Sequence, residues 1–335
     1  MIISTEVHAR AGLLGNPSDM YGGKVISFLI RDFSARVRLW ESPTLTLKPH
    51  PEYDRTEFEN LSHLANSIER HGYYGMQRVL FATCKRFADY ARDRGIALRS
   101  AGFTLEYETT IPRQSGLGGS SAMIIAALRA LLKFHRVPQN KVPARQLAEL
   151  ALSVETQELG IAAGLQDRVV QSYGGVTYMD FTGGTPKCTR LNSASLPRFG
   201  LAYLAEDHFG TIESGRVHSQ VRYRWEQGDP EVRRTMREVA RCAEKGREAL
   251  RHRDAKALAR LMNRNFDLRK RLYGEEALGH HNLELIRIAR DHGLASKLPG
   301  SSGAALILLD DPQSESTLAE AYAAKGYRYQ TIKGF

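Results

Sequence analysis

The sequence predicts an α+β protein of two domains, and three observations carry that prediction. A chain of 335 residues exceeds one typical hydrophobic core and fits two units of roughly 150 residues each. Both halves mix strand-like alternation with helix-like periodicity, without the regular β-α succession of a doubly wound sheet. Between them TGGTPKCTRLNSASLPRF concentrates glycine, proline and polar residues, which sets the boundary near residue 195 and the domains at 1–195 and 196–335.

In the first half EVHARAGLLGN reads as a strand running into a glycine turn, and KVISFLIRDFSARVRLWE alternates as a strand pair. Residues 56–71 and 74–94 carry apolar positions at helical spacing, for example Val79, Leu80, Ala82, Phe87 and Tyr90. GFTLEYETTIP alternates as a strand that stops at Pro112, and after a glycine-rich stretch the apolar run MIIAALRALLKFH suits a buried helix. ARQLAELALSVETQE, over 144–158, is amphipathic at helical period, and GGVTYMDF reads as a strand. In the second half FGLAYLAE reads as a strand and three helical patterns follow, to about residue 293. The segment AALILLD, a helix, and GYRYQTI then close the chain as strand, helix and strand.

Composition narrows the function classes. No run approaches the roughly 18 apolar residues that span a bilayer, and MIISTEVHAR lacks the basic start, apolar run and cleavage site of a secretory signal, so a cytoplasmic protein is expected. Cys84, Cys188 and Cys242 are scattered without metal-ligand spacing, which argues against a disulfide framework and a zinc site. The net charge of +10 invites a nucleic-acid reading. Much of it, however, lies in RWEQGDPEVRRTMREVARCAEKGREALRHRD, where Arg and Glu interleave at three- and four-residue spacing as on a solvated, ion-paired helix. RVHSQVRYRW, the only stretch that interleaves basic and aromatic residues, reads better as an amphipathic helix than as a nucleic-acid surface. A basic protein equally suits anionic small molecules.

Three segments carry chemistry. QSGLGGSSAMIIAA runs a glycine-rich turn into a helix, an arrangement that aims backbone N–H groups and the positive end of a helix dipole at one point and so binds anions. The same residues also fit an ordinary strand-to-helix turn capped by Ser120 or Ser121. No GK[ST] follows, and the glycines are not spaced as GxGxxG. A hydroxyl where the helix opens can reach a Mg²⁺ that bridges phosphates, and Mg²⁺ in turn calls for a carboxylate. ETQELGIAAGLQDR offers Glu155 and Glu158, three apart and expected on one helix face, and Asp167 after the small-residue break IAAG. The residues alone leave open whether these are ligands or solvated helix charges and a cap. The third segment, SKLPGSSGAALILL, reads by itself as a turn into a buried strand.

Together the segments resemble the small-molecule kinase superfamily named for galactokinase, homoserine kinase, mevalonate kinase and phosphomevalonate kinase. ARAGLLGNPSDMYGG is similar to its first motif, QSGLGGSSA to its second, phosphate-binding motif and KLPGSSGAA to its third, in the family's order and over essentially the whole chain. The third motif departs from the usual glycine-rich form by carrying Ser301 and Ser302. GNPSD, GLQDRVVQSYGGVTYMDF, SGRVHSQVRYRW and MNRNFDLRKR most resemble the branch that phosphorylates glucuronic acid at its anomeric hydroxyl.

The resemblance implies an N-terminal domain like the second domain of ribosomal protein S5, a ferredoxin-like C-terminal domain, and an active site between them. It implies ATP and Mg²⁺ as cofactors, with a sugar or uronic acid as substrate. Ser115, Gly116, Leu117, Gly118, Gly119, Ser120 and Ser121 would wrap the ATP phosphates, bare backbone being needed at the glycines. Ser121 and Glu155 would hold the metal, Asp167 and Arg10 would form the catalytic pair, and Asp19 would bind sugar. A substrate carboxylate needs a cation, and Arg168, Arg113, Arg78 and Lys24 are the candidates. A monomer or homodimer acting on small molecules is expected, with no nucleic-acid or membrane partner. Rival readings are a kinase of galactose, arabinose or a heptose phosphate, and a non-catalytic sugar and ATP sensor.

Overall fold

The computed structural model of the chain describes residues 2–71, 75–204, 214–309 and 314–335; the side chains of 69–71, 214–219 and 314 also lie outside the described set, among them half of SGRVHSQVRYRW. Strands and helices assemble on two sheets. The first is built from β1 (Ile2–Leu14), β2 (Lys24–Glu41), β3 (Thr46–Leu47), β4 (Phe103–Thr109), β5 (Val176–Asp180) and β6 (Lys187–Leu191). Its strands run in the order β3-β4-β2-β5-β6, with β1 paired to β2, and all pairs are antiparallel except β3 with β4. The second sheet, all antiparallel, has the order β10-β7-β9-β8, from β7 (Phe199–Leu204), β8 (Ser296–Lys297), β9 (Ala304–Leu308) and β10 (Tyr327–Thr331).

The expected strand pair in KVISFLIRDFSARVRLWE is instead the single strand β2, which pairs with β1 along its length, with β5 near its start and with β4 near its end. Its alternation is uninterrupted by a turn residue, so nothing in it folds the chain back. The stretch that marks the expected boundary also contains β6, a hairpin partner of β5. In β1 the alternation of buried and exposed residues holds to Val7 and then gives way to burial on both faces from Ala9 onward. Pairing with β2 also shifts register between His8 and Ala9, where the partners pass from Ser34 to Ile30 and the extra residues lie in β2.

Helices α1 (Leu61–His71), α2 (Gln77–Asp93), α3 (Gly119–Phe134), α4 (Ala144–Ser153) and α5 (Gln166–Tyr173) accompany the first sheet. Of these α3 is buried from Ser121 through Leu128, as its unbroken apolar run demands. Four helices rather than three follow β7: α6 (Ser214–Glu226), α7 (Pro230–Arg251), α8 (Ala255–Leu278) and α9 (His280–Asp291). Asp229 caps α7 by accepting from the N–H groups of Glu231 and Val232, and Asp254 caps α8. Helix α10 (Ser314–Ala323) precedes β10. Among the described residues no helix is long and apolar enough to cross a membrane.

Candidate active site

Three glycine segments far apart in the chain meet at one place. The Gly12 N–H donates to the Pro299 carbonyl at 2.9 Å and the Arg10 N–H to the Leu117 carbonyl at 3.0 Å, so the end of β1 is stitched to both other loops. A Cβ on Gly116 would lie 2.6 Å from the Ser302 carbonyl oxygen, while Cβ atoms on Gly300 and Gly303 would strike the backbones of Gly116 and Gln114. The 114–119 and 299–303 loops thus pack backbone against backbone. Gly116 and Gly118 also have φ of 63° and 75°, which only glycine adopts freely. Gly119 is different: its φ is ordinary and a Cβ would meet nothing nearer than 3.6 Å, so the protein itself leaves room for a side chain.

Helix α3 starts where this loop ends. Its first internal bond runs from the Ala122 N–H to the Gly118 carbonyl at 3.0 Å, so the N–H groups of Gly119, Ser120 and Ser121 have no acceptor a turn earlier. With the positive end of the helix dipole behind them, they form an anion site. The Leu117 side chain anchors the loop in the core, and the Ser115 hydroxyl donates to the Pro112 carbonyl at 2.6 Å.

Against this loop lies a bidentate ion pair. Asp167, in the first turn of α5, accepts from Arg10 Nε at 2.6 Å and from Nη2 at 2.5 Å, and Arg10 Nη1 donates to the Gly116 carbonyl. Arg10 keeps the phase of Ser4, Glu6 and His8 along β1, on the face that becomes buried in the second half of the strand. Asp19 is buried in the short 3₁₀ turn Ser18–Tyr21; its Oδ2 accepts from the Gln166 N–H at 3.4 Å and its Oδ1 has no hydrogen-bond partner among the described residues. Burial first, and the charge of Asp167 second, push its pKa up to about 7.

The serines point apart. Ser120 donates to Glu155 Oε1 at 2.8 Å, whereas Ser121 is turned inward and donates to the Gln171 side chain at 2.6 Å and the Gly118 carbonyl at 3.0 Å. The resemblance assigns the metal to Ser121, whereas the hydroxyl beside Glu155 is that of Ser120. Glu155 and Glu158 do not share a face either. They sit in a single π-helical turn, Val154–Glu158; Glu155 is buried, while Glu158 pairs with Lys85 at 2.7 Å.

The cations expected to bind a substrate carboxylate have partners within the chain. Arg168 is buried against Glu155 Oε2 and donates to the Gly164 carbonyl at 2.8 Å. Burial, and next the nearby charge of Arg10, lower its pKa to about 9, which leaves it cationic at neutral pH. Lys24 pairs with Glu244 and, at 3.6 Å, with Asp180, on a patch lined by Tyr178 and Arg247. Arg113 stacks over Tyr53 with 5.0 Å to the ring centroid, and Arg78 is exposed near the start of α2. Of the four, only Arg168 stands beside Asp167, and it is already engaged.

Sequence reasoning missed a second tier of polar residues. Asn265 accepts from the Gly15 N–H at 2.7 Å and donates to the Asn16 carbonyl at 3.2 Å, and Asn282 accepts from the Gly303 N–H at 2.7 Å. Arg269 donates to the carbonyls of Gly300 and Ser301, each at 2.5 Å. Lys297 donates to the Gly12 carbonyl, Asn16 Oδ1 and the Leu298 carbonyl, each at 2.7 Å. A signal was present: Leu258, Met262, Asn265, Arg269 and Leu272 recur at three- and four-residue spacing, so two polar residues interrupt the buried stripe of α8.

Comparison with known proteins agrees with this geometry. Residues 78–175 match the family model for the GHMP kinases N terminal domain, and residues 247–328 the model for GHMP kinases C terminal. Glucuronokinase 1 of Arabidopsis thaliana is 44% identical over 332 residues, covering 97% of this chain and 90% of its own length. Probable glucuronokinase 2 of the same plant is 44% identical over 334 residues, with 97% and 89% covered. Among solved structures, the mevalonate kinase of Methanococcus jannaschii superposes with a TM-score of 0.70 at 19% identity, covering 100% of this chain and 98% of its own. The galactose-bound galactokinase of Lactococcus lactis gives 0.73 at 15%, with 99% and 93% covered.

Proposed function

Starting from the chain's membership of the GHMP kinase family, we propose that it is an ATP-dependent kinase that phosphorylates glucuronic acid at the anomeric hydroxyl. The observation that carries the kinase reading is the Arg10–Asp167 pair set against a glycine loop and the N-terminus of α3. The choice of sugar is supported by the 44% identity to two plant glucuronokinases over nearly the whole chain. The two domains are placed at 1–195 and 196–335, supported by a first sheet whose strands end at Leu191 and a second that begins at Phe199.

Phosphoryl transfer asks the protein for positioning and charge stabilisation more than for covalent chemistry. The N–H groups at the start of α3 receive the phosphates. Asp167 orients the sugar hydroxyl and accepts its proton as the oxygen attacks the γ-phosphorus and the bond from that phosphorus to the β-phosphate oxygen breaks, releasing ADP. Arg10 keeps the carboxylate in place with two nitrogens and ties it to the phosphate loop through the Gly116 carbonyl, so acceptor and donor share one frame. Asp19, with an unsatisfied buried oxygen, accepts a hydroxyl of the sugar.

The residues also fit Mg²⁺. Ser120 and Glu155 present a hydroxyl and a carboxylate side by side where α3 opens, the hard oxygen ligands this ion prefers, and they would hold it; when bound it neutralises charge on the β- and γ-phosphates. Arg168 sets the orientation of the Glu155 carboxylate from its other side.

An ATP-consumption screen over free sugars and uronic acids tests the reading. Glucuronate should exceed glucose by at least about tenfold in kcat/KM, since a charge-assisted pair to the carboxylate contributes roughly 1.5–3 kcal/mol. Equal use of the two, preference for another sugar, or a product phosphorylated elsewhere than carbon one by NMR would overturn the choice of substrate. No consumption with any sugar would overturn the kinase.

A further inference from the structure

Two buried cations lie beneath the third glycine loop, and neither has a carboxylate partner among the described residues. Arg269 gives both terminal nitrogens to the carbonyls of Gly300 and Ser301, its Nε is buried without a partner, and its guanidinium sits 5.5 Å from the Tyr273 ring centroid. Lys297 satisfies three acceptors at 2.7 Å. A neutral amine has only two N–H groups, so three donated bonds describe the ammonium form. Elsewhere in the site the buried cations are matched, Arg10 by Asp167 and Arg168 by Glu155. Desolvating a charge without an opposite charge is unfavourable, and Arg269 and Lys297 are both held below their ordinary pKa, chiefly by burial.

What the two cations hold gives the reason. Their acceptors are the carbonyls of Gly12, Leu298, Gly300 and Ser301 and the side chain of Asn16, all in the first and third glycine segments. In a trans peptide unit the N–H points opposite to the C=O. Drawing the Gly300 and Ser301 carbonyls onto Arg269 therefore turns the N–H groups of Ser301 and Ser302 away from it. The same loop packs against the phosphate loop: a Cβ on Gly116 would be 3.2 Å from the Ser301 nitrogen.

We propose that Arg269 and Lys297 are positioning residues for the nucleotide: they hold the first and third glycine segments by their carbonyls against the 114–119 phosphate loop, and the phosphates supply the negative charge that the chain withholds from them. The proposal rests on the nucleotide reading above and adds to it a residue that the glycine motifs do not contain and a source for the missing charge.

Calorimetric titration of the wild type, Arg269→Lys and Arg269→Met with ADP and with adenosine tests it, beside the melting temperature of each. Adenosine carries the base without the phosphates. Arg269→Met should bind ADP at least about tenfold more weakly with adenosine affinity unchanged. Arg269→Lys keeps the charge but reaches one carbonyl instead of two, so its loss should be intermediate, about threefold. In turnover the KM for ATP should rise while the KM for the sugar stays put. Unchanged ADP affinity in the lysine variant, or equal loss for ADP and adenosine, would overturn the proposal, and the lysine variant decides if the methionine variant does not fold. A wild type that binds neither ligand would overturn the nucleotide reading itself, and the proposal with it.

Discussion

Among the described residues, every buried cation on one side of the site has a carboxylate and on the other none has. Arg10 with Asp167 and Arg168 with Glu155 are complete within the chain, whereas Arg269 and Lys297 are coordinated by carbonyls alone. The difference separates two uses of charge. A closed pair fixes a reactive group in one orientation, as Arg10 does for the carboxylate that faces the sugar. An open cation keeps a local positive potential for an anion that comes and goes. Burial magnifies both, because removing either partner of a closed pair strands the other in a medium of low polarity.

The largest effect should come from opening the catalytic pair. Asp167→Asn is nearly isosteric yet cannot hold a negative charge or accept the proton, and it leaves Arg10 as a third unmatched cation. Turnover should fall by about 10²-fold or more, with sugar affinity changed little, in steady-state kinetics. Near-normal turnover would show that the pair is structural and that closed and open cations do not differ in use.

Opening the other pair from the cationic side should cost stability, and with it the hold of Glu155 on the metal, but not the choice of sugar. Arg168→Met strands Glu155, so unfolding free energy should drop by roughly 3 kcal/mol in denaturant titration. The preference for glucuronate over glucose should survive. Loss of that preference without loss of stability would restore Arg168 to the sugar and take it out of the closed pair.

Asp19 sharpens the comparison from the anionic side, being a buried carboxylate with no cation bonded to it. Its folded pKa of about 7 lies above the 3.8 of a free aspartate, so the folded protein binds more protons than the unfolded chain between those values. Stability therefore declines as pH rises from about 4 to about 7 and stays lowered above that. Asp19→Asn removes the charge: at pH 8 it should melt higher than the wild type by roughly 3 °C or more, and near pH 4 the two should coincide. Its KM for the sugar should rise about tenfold, since an ionised oxygen accepts a hydroxyl more strongly than an amide does. A variant that melts lower at pH 8 would mean that the carboxylate is not held at a cost.

Much of this was legible in the sequence, and the remainder was not for definite reasons. The three glycine segments, the strand before Pro112, the buried helix after Gly119 and the Arg10–Asp167 pairing could be read from pattern or resemblance, because backbone demands and apolar runs are local. The neighbour of Glu155 could not. Which of two adjacent serines faces a carboxylate depends on the helix phase at α3 and on the π turn that rotates Glu155, both settled by packing. The same holds for Arg168, which looks like any cation beside an aspartate until Glu155 is brought to it. Arg269 was hidden differently: in MNRNFDLRKR it is one of four basic residues, and only its phase on the apolar stripe of α8 distinguishes it.

The backbone-to-backbone contact between the 114–119 and 299–303 loops also bears on how this protein can vary. At positions 116, 300 and 303 a side chain collides with the opposite loop, so a substitution there should lower the amount of folded protein in a cell before activity is ever sampled. Position 119 has space for a methyl group and a helical backbone that would welcome one, so abundance should be indifferent to it. Selection for abundance and selection for catalysis would then part company at a single glycine out of four, and a library scored both ways would mark where the ligand, rather than the fold, sets the sequence.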